Sequence, residues 1–207
     1  MSTSVVHGEE ELFARTGHLF ATASEIVCAA RDLSTWAWTR RAPTPPSTPS
    51  RVRKLHQPGA LLNPSTAQHL RAVAALGASI RITQADLNET IIIDGRFAIL
   101  AGDLRDGLRS YGVVSEPAVV QNVQSLFDAA WRSATELDVY DAQNAELCAM
   151  APRVMELLAT GCKDETAART LGLGVRTYRR RVAEVMAALG AESRFQAGVR
   201  ARELGLI

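Results

Sequence analysis

The stretch from Leu171 to Leu189 constrains this chain more than any other. It opens with Leu171-Gly172-Leu173-Gly174, a short break holding two glycines, and continues as VRTYRRRVAEVMAAL. With Tyr178 as the origin of a wheel turning roughly 100° per residue, Val182, Val185, Met186 and Leu189 fall within about 80° of it. Arg176, Arg180, Ala183 and Ala187 cluster near the opposite side, and Arg179 sits at one flank. A helix so patterned must bury one face and leave its cations in water. Three further helices are predicted around it, giving four at 149–160, 164–171, 175–189 and 193–204, with Gly161, Gly172, Gly174 and Gly190 at or beside their ends. The break at 171–174 is short enough to hold its two helices at the steep angle of a helix-turn-helix.

Charge is distributed to match. The whole chain carries a net of only +1, but residues 147–207 hold ten Lys and Arg against six Asp and Glu, a net of +4, and the preceding residues are net −3. The basic end is therefore where an anionic partner belongs. No acid lies between Arg176 and Val182. Guanidinium groups on an outward helix face suit double-stranded DNA, because they pair with phosphate and, bidentately, with the O6 and N7 edge of guanine in a groove wide enough for a helix. Ala183 is small enough to let the backbone approach.

The first two thirds read differently. Apolar positions Leu12, Phe13, Leu19 and Phe20 predict an amphipathic helix over 9–24, and IVCAA (26–30) a buried strand. Residues 40–50 hold four prolines and predict a surface loop. From Pro64 a helix closed by Gly77 is followed by a strand SIRIT and by TIIIDGRFAILAG, two apolar runs joined at Asp94-Gly95, a strong hairpin signal. A strand at 111–115 and a helix over 116–134, with Val119, Val120, Val123, Leu126, Phe127 and Trp131 at helical spacing, complete the pattern. The expected organisation is an α/β domain at 5–135, a polar linker at 136–146 and an all-α domain of four helices at 147–207.

Residues 147–207 resemble the LuxR (GerE) type of helix-turn-helix over about 60 residues. The likeness rests on the Leu171-Gly172 turn, the segment Arg-Thr-Tyr-Arg-Arg-Arg-Val from Arg176, the Leu189-Gly190 hinge and the Ser-Arg-Phe-Gln-Ala start of the last helix. It implies that Thr177 contacts phosphate and that Arg179 and Arg180 face bases, with Arg176 and Arg181 completing the DNA-binding set. Arg181 lies about 60° from Tyr178 on the wheel, close to the packed face. The resemblance also implies that the last helix, at 194–204, contributes to pairing of subunits. Departures are Ala151 where the family usually has Glu, Gly174 in place of a capping Ser, and Arg181 where His is common. Glycine is itself tolerated at an N-cap, so that loss costs only a few tenths of a kcal/mol.

The fragment NETIIIDGRFAILAG resembles the H-x-K-x-x-x-x-D motif of phospholipase D-like proteins, with Asn88 and Thr90 at its His and Lys places, Asp94 one residue short of its Asp place, and Gly102 closing the apolar run. The implied fold is a degenerate phospholipase D-like half, a mixed sheet with flanking helices. Neither an imidazole to attack phosphorus nor a lysine to stabilise developing charge remains. Degenerate domains of this kind resemble those of TrmB-like regulators, which implies a small-molecule effector held near Asn88, Thr90 and Asp94, or a domain that only dimerises.

The expected function is thus a one-component, sequence-specific DNA-binding transcriptional regulator, a homodimer on a palindromic operator, and not an enzyme. The alternative, a phospholipase D-type phosphodiesterase with a basic tail, is disfavoured by Asn88 and Thr90. A phosphorylated receiver is disfavoured because Lys54 is the only lysine before the linker. No cofactor or metal is expected: Cys28, Cys148 and Cys162 lack the spacing of a zinc site and read as reduced, buried thiols, and His7, His18, His56 and His69 are scattered. With no signal peptide and no apolar run long enough to span a bilayer, a cytoplasmic, membrane-free protein is expected.

Overall fold

Asp94 and Gly95 both take positive φ, 52° and 62°, the geometry of a hairpin turn whose twist matches its strands. They join β5 (Thr90–Ile93) to β6 (Phe97–Arg105) in the antiparallel register Ile91↔Ile99. Asp106 and Gly107 repeat the device, at φ 51° and 79°, and lead into β7 (Leu108–Val114). The computed structural model describes residues 3–30, 51–86 and 88–207, and within them the chain forms two compact units. The proline-rich segment 40–50 lies outside the described residues.

The first unit comprises described residues of 1–56 and 73–134. Its elements are β1 (Thr3–His7), α1 (Gly8–Thr22), β2 (Glu25–Ala30), β3 (Arg51–His56), β4 (Ser79–Ile82), then β5 to β7 and α4 (Pro117–Ser133). Across this unit the strand order is β1-β7-β6-β5-β2-β3-β4. The pairs β2·β3 and β3·β4 are parallel and the others antiparallel, so the sheet is mixed.

Successive strand residues point to opposite faces, and both faces are covered. Ile26, Cys28, Ile91, Ile93, Ile99 and Tyr111 pack with Leu12 and, at the margin, Leu19 and Phe20 of α1. Val27, Ala29, Leu55, Ile92 and Ala98 pack with Val120 and Phe127 of α4. Burial on both sides is why β2 and β5 read as unbroken apolar runs. On α4 the inward stripe is Val120, Val123, Phe127 and Trp131, while Val119 and Leu126 face solvent. The two turned outward lie off that stripe, so the helix buries a narrower face than its apolar count predicted.

The second unit comprises 57–72 and 135–207. It begins with α2 (Gly59–Leu62) and most of α3 (Pro64–Ala75), resumes at β8 (Thr135–Glu136), and continues through α5 (Leu137–Ala159), α6 (Asp164–Thr170), α7 (Val175–Ala188) and α8 (Arg194–Glu203). Residues 136–146, expected as a linker, are instead strand and helix. Their apolar residues are sparse but helically spaced: Leu137 and Leu147 are buried on the face that continues through Ala151, Val154 and Met155. The same helix runs through Pro152, which removes the amide that would otherwise bond to the Cys148 carbonyl.

The core of this unit joins Leu147, Ala151, Val154 and Met155 of α5 to Ala167 and Ala168 of α6, Tyr178, Val182 and Val185 of α7, and Ala197 and Ala201 of α8. Leu62, 1% exposed, completes it from the end of α2. The Asn63 side-chain amide donates to the carbonyls of Leu204 (2.8 Å) and Gly205 (3.1 Å), and its oxygen accepts from the amides of Ser65 and Thr66 at the start of α3. Arg71 pairs with Asp141 through two hydrogen bonds. Residues 57–72 therefore belong with the helical unit, against the expected division at 147.

Among the cysteines only Cys28 is fully buried; Cys148 and Cys162 are half-buried. Among the described residues no helix is long and apolar enough to cross a membrane, and no group of three or more His, Cys, Asp or Glu side chains could hold a metal ion.

Candidate nucleic-acid interface

Helix α7 is positioned by its own apolar face. Tyr178, Val182, Val185 and Ala188 are buried and Met186 packs at the edge of the core, while Arg176, Arg179, Arg180, Ala183 and Ala187 are exposed. Burial pushes the Tyr178 hydroxyl above its ordinary pKa. Gly174 occupies the N-cap in extended conformation without a side-chain cap, and the Tyr178 amide bonds to its carbonyl. The turn before it holds Gly172 at φ 68°, in the left-handed region where glycine ends a helix.

The cations of this face are less free than their sequence suggests. Arg176 is exposed and forms no ion pair among the described residues. Thr177 is half-buried at the first turn. Arg179, 60% exposed, donates from Nε to Asp164 Oδ2 at 2.7 Å, with Glu165 a further 3.8 Å contact. Arg180, 64% exposed, has only Glu184 at 3.6 Å among the described residues.

Arg181 is different, with its side chain 12% exposed and held by Glu146 and Glu184, the latter at 2.8 Å. It braces α5 to α7. The acids that compensate this helix come from outside 176–182, which is why the local sequence conceals them. Glu184 could have been found, since it lies three and four residues beyond Arg181 and Arg180. Asp164 and Glu146 could not, because only the packing of α5 and α6 brings them to α7.

Asp164 lines an open groove of about 490 Å³ beside α7, together with Arg179, Val182, Ala183, Met186 and Arg194 among others. Its Oδ1 lies 3.0 Å from Arg194 of α8. Arg194 and then Arg179 hold the Asp164 carboxyl below its ordinary range. One face of α7 thus presents two arginine ends, Arg176 and Arg180, that are open to an anion, and a third, Arg179, that is fixed in place.

In the first unit the three motif positions are not gathered into one site. Asn88 is exposed just before β5, and its carbonyl accepts from the Thr90 hydroxyl at 3.0 Å. Asp94 lies past the far end of the same strand, where its Oδ1 accepts from the amides of Ser24 and Glu25, both at 2.8 Å, and so fixes the start of β2. Thr90 lines a cavity of about 10 Å³ with Ala29, Glu89, Ile91, Ile99, Ala101 and Tyr111, room for about one water. Glu89, itself buried, pairs with Arg109 beside it.

No family model matches the chain. Over 150 residues it is 31% identical to the bialaphos biosynthetic pathway regulatory protein of Streptomyces hygroscopicus, a match covering 70% of this chain and 57% of that protein. The chain thus spans little more than half the length of that relative. Among solved structures, NucT from Helicobacter pylori superposes with a TM-score of 0.50 at 9% identity, covering 65% of this chain and 98% of the other, a likeness of fold. The phospholipase D family member Nuc from Salmonella typhimurium (TM-score 0.48, 11% identity, 65% of this chain and 97% of the other) and the archaeal chromatin protein TrmBL2 (0.46, 16%, 66% and 54%) are also similar.

Proposed function

We propose that this chain is a DNA-binding transcriptional regulator of the LuxR type that reads its operator with α7. The observation that carries the reading is the division of α7 into a buried apolar face and an exposed face bearing Arg176, Arg179, Arg180 and two small alanines. A phosphate-lined major groove accepts a helix of that character, and few other partners need both the cations and the close approach. The similarity to a regulatory protein of the bialaphos biosynthetic pathway supports the same reading from outside the chain. In this proposal Arg179 and Arg180 face base edges, Thr177 and Arg176 hold phosphate, the protein works as a homodimer in the cytoplasm, and the phospholipase D-like first unit dimerises or binds a small effector.

The proposal excludes phosphodiesterase activity, since Asn88 and Thr90 offer neither imidazole nor cation and Asp94 is committed to backbone amides. Selection of duplexes from a randomised pool by the full chain is expected to converge on a palindrome, and recovery of an unchanged pool would overturn the reading. Metal-independent hydrolysis of bis(p-nitrophenyl) phosphate, lost in Asp94→Ala, would overturn the non-enzymatic part.

A further inference from the structure

We propose that Asp164 is a positioning residue for sequence discrimination: it holds the Arg179 guanidinium by its Nε edge so that the terminal nitrogens face outward to a guanine. The proposal rests on the reading of α7 as the DNA-contacting helix. A free arginine side chain samples many rotamers and gives up that freedom when it forks onto a base. Arg179 has already given up much of it. Its Nε is taken by Asp164 Oδ2 at 2.7 Å, and Asp164 is in turn fixed by Arg194 at 3.0 Å on its other oxygen. The carboxylate is only 14% exposed, whereas the arginine it grips is 60% exposed. The two terminal nitrogens are left for a partner, since the Glu165 contact at 3.8 Å is too long for a hydrogen bond.

Charge gives the arrangement a second consequence. Non-specific affinity comes from cations that displace counterions from phosphate. With a carboxylate at hydrogen-bond distance, Arg179 contributes little to that attraction but keeps the donor geometry that guanine requires. Arg176, which no acid among the described residues pairs, supplies the general attraction. Asp164 therefore lowers affinity for arbitrary DNA while raising the selectivity of one contact, a use of repulsion in the service of specificity.

The test uses the full chain, the duplex it selects from a randomised pool and a scrambled duplex, with melting temperature followed for every variant. Asp164→Ala is expected to cut the ratio of selected to scrambled affinity about ten-fold, within the range of one lost bidentate base contact, while tightening binding to the scrambled duplex. Asp164→Asn, which keeps an acceptor for Nε without the charge, is expected to tighten scrambled binding and keep most of the ratio. Replacing the contacted guanine by 7-deazaguanine should penalise the wild type more than Asp164→Ala. A merely structural role would weaken both duplexes together in step with a lowered melting temperature, and that result would overturn the assignment. So would a wild-type ratio that survives in Asp164→Ala. No sequence preference in the wild type would instead overturn the underlying reading, and this assignment with it.

Discussion

Four arginines on one helix are expected to behave in three ways. Arg179→Ala and Arg180→Ala should each cost about 1 to 3 kcal/mol per half-site on the selected duplex and far less on scrambled DNA. Arg176→Ala should weaken both alike and make the slope of log K against log salt shallower by about one. Arg181, 12% exposed and tied to Glu146 and Glu184, should lose about 1 kcal/mol of folding stability when replaced by alanine, with little change in discrimination. Binding titrations at several salt concentrations, paired with urea unfolding, separate these outcomes. Loss of discrimination in Arg181→Ala alone would show that α7 is turned differently in the groove. Asp94 is a matter of stability in the same way: Asp94→Ala should lower the unfolding free energy measured in urea by about 1 to 3 kcal/mol, because two backbone amides lose their acceptor, and Asp94→Asn should keep most of the wild-type stability.

At the level of elements, α8 depends on its first turn. The Ser193 hydroxyl accepts from the Gln196 amide at 3.1 Å, and the Gln196 side chain reaches back to the Glu192 amide at 2.7 Å, close to a capping box. Ser193→Ala should cost about 1 kcal/mol in thermal or urea unfolding; no change would mean that α8 is held by packing alone. The elements also show what a sequence discloses. Helix α7 was legible because one helix carries its whole argument, apolar and cationic faces together. The β5–β6 hairpin was legible because Asp94-Gly95 names its turn; Asp106-Gly107 turns β6 into β7 in the same way, but the strand expected at 111–115 began beyond that turn. Strand β3 was not: RVRKLH alternates weakly and follows a proline-rich segment, and only its parallel pairing with β2 and β4 reveals its place. The first turns of α5 were hidden by acids such as Asp141, whose partner Arg71 lies far away in sequence. Asp164 was likewise invisible as part of the candidate site, for its meaning depends on two arginines from other helices.

At the scale of the molecule, two half-sites need two copies of α7, and linking weak half-sites multiplies affinity. Light scattering at micromolar concentration is expected to give a dimer, free or with DNA, and a monomer in both conditions would contradict it. The discontinuous second unit has a different consequence. The chain enters it at 57, leaves after 72 and returns at 135, so the helices proposed to read DNA are not a cassette that can be lifted out at one cut. A fragment of 147–207 lacks Leu62 from its core, Asn63 from the carbonyls of Leu204 and Gly205, and the first turns of α5. Expressed alone it should show no cooperative thermal transition by circular dichroism, while the full chain does. Grafting these helices onto another domain would have to carry 57–72 as well, which makes this chain harder to recombine than a protein whose helical unit hangs from a single tether.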